Sequence, residues 1–215
     1  FYERKYGLGH IGLIKCICVG SIFIKNKDVI PLSILIIAPP GQFKSRTTPE
    51  LSAIFLNKSV IELGSDFTIH SLIQLSDSGK KFNNKTLSIN DITLLFSSKQ
   101  KRAKDRLINA LSEILSEGIY RYGERNSPNM VLKARLNIIG NITRNSYIQN
   151  RKNFLDNTFM ERILPVHYNL SLKKQEEYVT EVSNRMAITF SQPIKLKPHL
   201  ITNYGIYNNE IISLA

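Results

Sequence analysis

Short apolar runs separated by polar, turn-rich breaks dominate this chain, and their lengths point to its elements. Leu32–Ile37 is a nearly unbroken apolar run closed by Pro39-Pro40-Gly41, as expected of a strand buried on both faces. Val60–Leu63, Thr86–Ile89, Leu136–Gly140 and Ile163–Tyr168 read as further short strands. Between them the period changes. Leu107, Ile108, Leu111, Ile114 and Leu115 recur at helical spacing within Lys101–Glu117, and Gly118 supplies a stop. Thr47–Asn57, Asp66–Leu75, Arg151–Met160 and Lys173–Met186 also read as helices; Pro49 is tolerated in the first turn of the first. Ile119–Tyr122 and Val131–Lys133 read as a hairpin. The apolar segment Ile11–Ile24 is interrupted by Lys15 and is short for a bilayer span. It shows no clear signal-peptide cleavage site and reads as a helix packed beside the sheet.

Strands alternating with helices predict an α/β fold: three αβα layers around a central, mostly parallel sheet. Three parts are expected: an N-terminal helical segment (1–30) packed on the core, the core itself (31–170), and a C-terminal helix and tail (171–215). The 215 residues are 42% hydrophobic with no low-complexity tract, enough for one large domain.

Charge changes the picture more than composition does. The formal net charge is +12, which favours a polyanionic partner, most plausibly nucleic acid. Lys99, Lys101, Arg102 and Lys104 form the densest basic group and are the candidate DNA contacts. The two cysteines, Cys16 and Cys18, are too close for a zinc knuckle and read as buried thiols in a reducing, cytoplasmic setting. His10, His70, His167 and His199 are scattered and read as structural.

The candidate chemistry begins where the first strand ends. Ala38-Pro39-Pro40-Gly41-Gln42-Phe43-Lys44-Ser45 has the layout of a phosphate-binding loop. That layout is a strand, a turn whose N–H groups face an anion, a lysine for the β/γ-phosphates and a hydroxyl for Mg²⁺. Pro40 to Arg46 would line the nucleotide. Ala38 and Phe43 stand where the pattern has glycine. A metal-organising acid is expected on a neighbouring strand, and Asp91, just after Thr86–Ile89, is the candidate beside Ser45; its plain alternative is a turn-capping Asp.

Segment 38–45 resembles, residue for residue, the G-P-P-G-x-G-K-[ST] loop of AAA+ ATPases. The resemblance extends over Pro31–Leu170 and implies a RecA/AAA+-like P-loop NTPase. Asn141, with Thr143 as second choice, matches the sensor that ends the fourth strand in such enzymes. Phe159-Met-Glu-Arg162 resembles the segment that supplies an arginine finger from a neighbouring subunit. Asp91-Ile-Thr93, the Ser-rich basic turn and the helix ending in Glu117-Gly118 resemble phage and plasmid P-loop ATPases, and more loosely minichromosome-maintenance helicases. The resemblance implies ATP and Mg²⁺ as ligands, a ring-shaped homo-oligomer such as a hexamer, and a DNA-associated motor of a mobile element. Three rivals stand beside it. One is a nucleotide switch or assembly protein with weak hydrolysis, motivated by Phe43 and by Asn90-Asp91-Ile92 at the strand end where many AAA+ proteins have Asp-Glu. The second is a non-catalytic nucleic-acid-binding module with a relic loop. The third is a small-molecule kinase using Arg121, Arg125 or Arg144.

Overall fold

The computed structural model describes residues 9–26, 28–42, 44, 59–63, 67–68, 72, 81–93, 101–122, 130–152 and 158–177. In chain order these hold helix α1 (Gly9–Ser21) and strands β1 (Ser33–Ala38), β2 (Val60–Leu63) and β3 (Lys85–Ile89). Helix α2 (Lys101–Glu117), strands β4 (Ile119–Tyr122), β5 (Met130–Lys133) and β6 (Leu136–Thr143), and helix α3 (Arg144–Gln149) follow. A 3₁₀ turn (Thr158–Arg162) leads into strand β7 (Ile163–His167).

Five strands make one parallel sheet in the order β2-β3-β6-β1-β7. β1 lies inside it, paired to β6 and β7, and all six of its residues are buried. That explains its unbroken apolar run: a parallel strand covered on both faces has no polar side to show. β7 is an edge among the described residues. Pro165 sits there, where a missing N–H does least harm to the ladder. β4 and β5 form a separate antiparallel hairpin.

The two faces carry different cores. On one, Leu35, Ile37, Leu87, Ile89, Ile138 and Ile142 pack against Leu107, Ile108, Leu111 and Ile114 of α2 and against Phe159. On the other, Ile34, Ile36 and Ile139 pack against Ile11, Cys18 and Val19 of α1, with Tyr168 and Leu170. Each such aliphatic side chain contributes roughly 1.5–3 kcal/mol by leaving water. Gly118 ends α2 in a left-handed conformation (φ 69°), and its N–H bonds the carbonyl of Ile114.

α1 is seated by polar contacts as well. The Asn137 amide donates to the carbonyls of Cys18 and Leu32, and Ser21 Oγ accepts the N–H of Leu32. Arg135 donates to the carbonyls of Val29 and Ile22, binding the connection after α1 to the start of β6. α1 runs antiparallel to β1, because its Lys15 end reaches the loop after β1 and its Ser21 end reaches Leu32.

Three expected elements differ by more than a residue. α1 starts and stops earlier than Ile11–Ile24. β6 runs to Thr143 rather than Gly140, because Asn141, Ile142 and Thr143 pair with Ile36, Ile37 and Ala38. Of the helix expected over Arg151–Met160, residues 151–152 are helical, 153–157 lie outside the described residues, and 158–162 form the 3₁₀ turn. The expected helices Thr47–Asn57 and Asp66–Leu75 also lie outside them, apart from isolated positions. Among the described residues no helix is long and apolar enough to cross a membrane.

Candidate functional site

All strands of the sheet point the same way, so their carboxyl ends share one edge, where open α/β sheets bind ligands. β1 ends there at Ala38, and Pro39-Pro40 stops its ladder. Gly41 turns the chain at φ 75°, a conformation that strains any residue with a Cβ. Gln42 is 2% exposed and holds the loop from one side. Its Oε1 accepts the N–H of Leu170 at 2.6 Å, and its Nε2 donates to Asn169 Oδ1 at 2.9 Å and to the Leu170 carbonyl at 3.2 Å. The Tyr168 hydroxyl donates to the Gln42 carbonyl. These bonds tie the loop to the segment that follows β7.

Lys44 curls back over the end of β1. Its ammonium donates to the carbonyls of Ala38 at 3.0 Å and Pro39 at 2.7 Å. It is half-buried, and loss of water pulls its pKa below the ordinary lysine range. The carboxylate of Asp91 pulls the other way. From beneath, the ammonium of Lys15 on α1 donates to the Lys44 carbonyl at 2.8 Å.

Asp91 follows β3 and is exposed; its Oδ1 accepts the N–H of Thr93 at 2.9 Å, the turn-capping bond that short Asp side chains favour. The turn is seated on β6: the Ile92 N–H bonds the carbonyl of Asn141 at 3.0 Å. Gly140 makes room for that seat. A Cβ there would lie 3.1 Å from Ile92 Cδ1 and 3.2 Å from Leu35 Cδ1. The acid was expected on a strand neighbouring β1, and this is corrected: β6 pairs with both β1 and β3 and separates them. Two strand spacings put about 10 Å between the axes of β1 and β3, room for a phosphate and an ion between lysine and carboxylate.

Asn141 stands inside β6, opposite Ile36, and not in a loop after it. It is fully buried; its Nδ2 donates to the Ile89 carbonyl at 3.3 Å, and its Oδ1 has no partner among the described residues. Thr143 is committed elsewhere. Its hydroxyl caps α3 by accepting the N–H of Ser146 at 3.2 Å, and it donates to Ser146 Oγ at 2.8 Å. Arg162 closes the 3₁₀ turn at the start of β7, on the opposite edge of the sheet from Lys44 and Asp91. β7 spans roughly 16 Å, beyond the reach of an arginine within the same chain.

The sheet edge therefore brings Pro40, Gly41, Gln42, Lys44, Asp91 and Asn141 together and leaves Arg162 apart. Phe43, Ser45, Arg46 and Lys99 lie outside the described residues. Lys101, Arg102 and Lys104 fall in the first turn of α2, with side chains outside the described set. A cleft of about 300 Å³ flanks the loop, between Pro39, Arg144, His167 and Asn169. Cys18 is buried and Cys16 half-buried, both free thiols. Burial pushes Cys16 up to about 11 and Cys18 further, so neither is a ready nucleophile. Among the described residues no three His, Cys, Asp or Glu side chains cluster as a metal cage.

Sequence reading missed Lys15. The signal was there: Ile11, Lys15, Cys18, Val19 and Ile22 fall on one helical stripe, so this lysine occupies a core position of α1.

No protein-family model matches this chain, and no curated protein matches it.

Proposed function

We propose that this protein is a P-loop ATPase of the AAA+ kind, binding ATP with Mg²⁺ on the loop after β1 and hydrolysing it. The observation that carries the reading is the pairing across β6: the Lys44 ammonium caps the end of β1 within electrostatic reach of Asp91 after β3. A lysine and an acid on either side of one strand suit a triphosphate lying over that strand. Mg²⁺ takes one or two carboxylates plus phosphate oxygens, not an all-protein cage. An exposed Asp91 with the Ser45 hydroxyl fits that donor set. The ion, when bound, neutralises charge on the β- and γ-phosphates.

The chain's own groups divide the remaining work. Gly41 and the backbone up to Ser45 cradle the phosphates, and Lys44 exchanges the carbonyls of Ala38 and Pro39 for phosphate oxygens. Asn141 holds the strand-end turn bearing Asp91 and senses the γ-phosphate from beneath. Arg162, out of reach of its own loop, acts on the site of a neighbouring copy in a ring-shaped homo-oligomer. The +12 charge supports DNA as the track or substrate of a replication-type motor, with Lys99, Lys101, Arg102 and Lys104 on its phosphates.

Two observations favour a second reading, a nucleotide switch with weak hydrolysis. Asn90-Asp91-Ile92 offers no second acid beside Asp91, and Asn141 is buried. Single-turnover phosphate release, with and without single-stranded DNA, decides between them. DNA-stimulated release that Lys44→Ala removes supports the motor. Tight nucleotide binding without release supports the switch. Salt-sensitive DNA binding with no nucleotide binding would return the loop to a relic.

A further inference from the structure

Among the largest fully buried side chains of the described residues is Lys15, 0% exposed on the stripe that α1 turns to the sheet. A buried amine is costly unless a polar partner meets it. Its ammonium bonds the carbonyl of Lys44, the lysine of the loop itself. That carbonyl and the N–H of residue 45 belong to one peptide unit. A cation on the oxygen polarises the unit and strengthens its N–H as a donor. Backbone N–H groups are what a phosphate-binding turn offers an anion.

We propose that Lys15 is a positioning residue of the loop, a buried cation that, through the Lys44 carbonyl, sets how tightly the loop grips a nucleoside polyphosphate. The inference rests on the ATP reading above. It gives Lys15 the task that glycine performs by letting the backbone adapt, in a loop with Ala38 and Phe43 at the two glycine positions. Among the described residues, no other charged side chain on this face bonds the Lys44 carbonyl. Cys16 and Cys18 on the same helix are uncharged thiols at neutral pH. β1 and β6 turn Ile34, Ile36, Asn137, Ile139 and Asn141 to it, none titratable. Tyr168 is committed to the Gln42 carbonyl. His10 on α1 is exposed; among the described residues the charge beyond the contact is the Lys44 ammonium, on which Asp91 acts. Burial lowers Lys15 to about 7, so a polyphosphate on the loop favours its charged form.

The experiment titrates Mg²⁺ with a fluorescent ADP, and with a non-hydrolysable ATP analogue, into wild type, Lys15→Met and Lys15→Arg. Lys15→Met is expected to bind about tenfold more weakly or worse, with KM raised and kcat little changed, and Lys15→Arg to recover part of the loss. The melting temperature without nucleotide is not expected to fall in Lys15→Met. A second measurement uses wild type alone, with lysine ε-carbon NMR. The Lys15 signal should move toward the ammonium position when Mg²⁺ and ADP are added. Equal binding by all three proteins, or a Lys15 signal blind to nucleotide, overturns the inference and leaves the ATPase reading standing. No nucleotide binding by wild type overturns both.

Discussion

The two faces of the sheet solve the same burial problem differently. Under α2 the sheet presents an apolar face, built from Leu35, Ile37, Leu87, Ile89, Ile138 and Ile142, with Phe82 and Phe159 in the same core and Ser112 of α2 as a buried polar exception. On the opposite face of the sheet, the one α1 packs on, the strands interleave Thr86, Ser88, Asn137 and Asn141 with Ile34, Ile36 and Ile139, and α1 adds Lys15. Several polar atoms of that second face have no partner among the described residues, including Ser88 Oγ, Asn137 Oδ1 and Asn141 Oδ1. Buried polar groups in an otherwise apolar layer cost stability. Those nearest the carboxyl edge converge on the loop and on the Asp91 turn. One face holds the fold; the other spends stability at the candidate site, where such departures are expected.

Substitutions can break or sharpen that contrast. The largest effect belongs to the aliphatic face: Ile138→Ala should lose about 2–5 kcal/mol by denaturant unfolding, with nucleotide affinity unchanged while the protein stays folded. A comparable loss of affinity there would dissolve the distinction.

On the polar face the signature is pH dependence. Burial lowers Lys15 from 10.5 to about 7. Between those values the unfolded chain holds a proton that the folded protein lacks. Its contribution therefore makes stability rise with pH across that window, by up to about 1.4 kcal/mol per unit. Below pH 7 both states are protonated and the slope from this group ends, with the buried charge fully costly. Lys15→Met should flatten the slope and stabilise the protein at pH 6; urea melts from pH 6 to 9 check this, and an unchanged slope contradicts it.

Smaller effects probe the edge. Gly41→Ala should cost about 1 kcal/mol from its left-handed backbone, and weaken nucleotide binding more than that strain alone would suggest. Gly140→Ala should cost about as much, since Ile92 and the buried Leu35 must each give by a few tenths of an ångström. Its reading is the Mg²⁺ dependence of nucleotide binding, because Ile92 seats Asp91. Mg²⁺ titrations identical to wild type would detach that seat from the site.

Much of this was legible because it rests on local periodicity. The α2 stripe and the apolar run of β1 each announce their element, and Gly118 announces the stop. What was not legible depends on pairing. Asn141 and Thr143 look like turn residues, yet β1 offers Ile36 and Ala38 as partners and draws them into β6. α3 buries no residue and has no apolar stripe; the Thr143 cap is its local support. At the site, loop and acid could be read from spacing, but strand order could not, and strand order sets β6 between Lys44 and Asp91. The bond from Lys15 to Lys44 joins residues far apart in sequence, and a lysine within an apolar run gives no sign of its target.

The most direct measurement is calorimetric titration of a non-hydrolysable ATP analogue with Mg²⁺ into wild type and Lys44→Ala. The account expects one saturable site per chain, weakened by chelating Mg²⁺ and by Asp91→Asn, and lost in Lys44→Ala. Absent binding in wild type, or equal binding in Lys44→Ala, would contradict it.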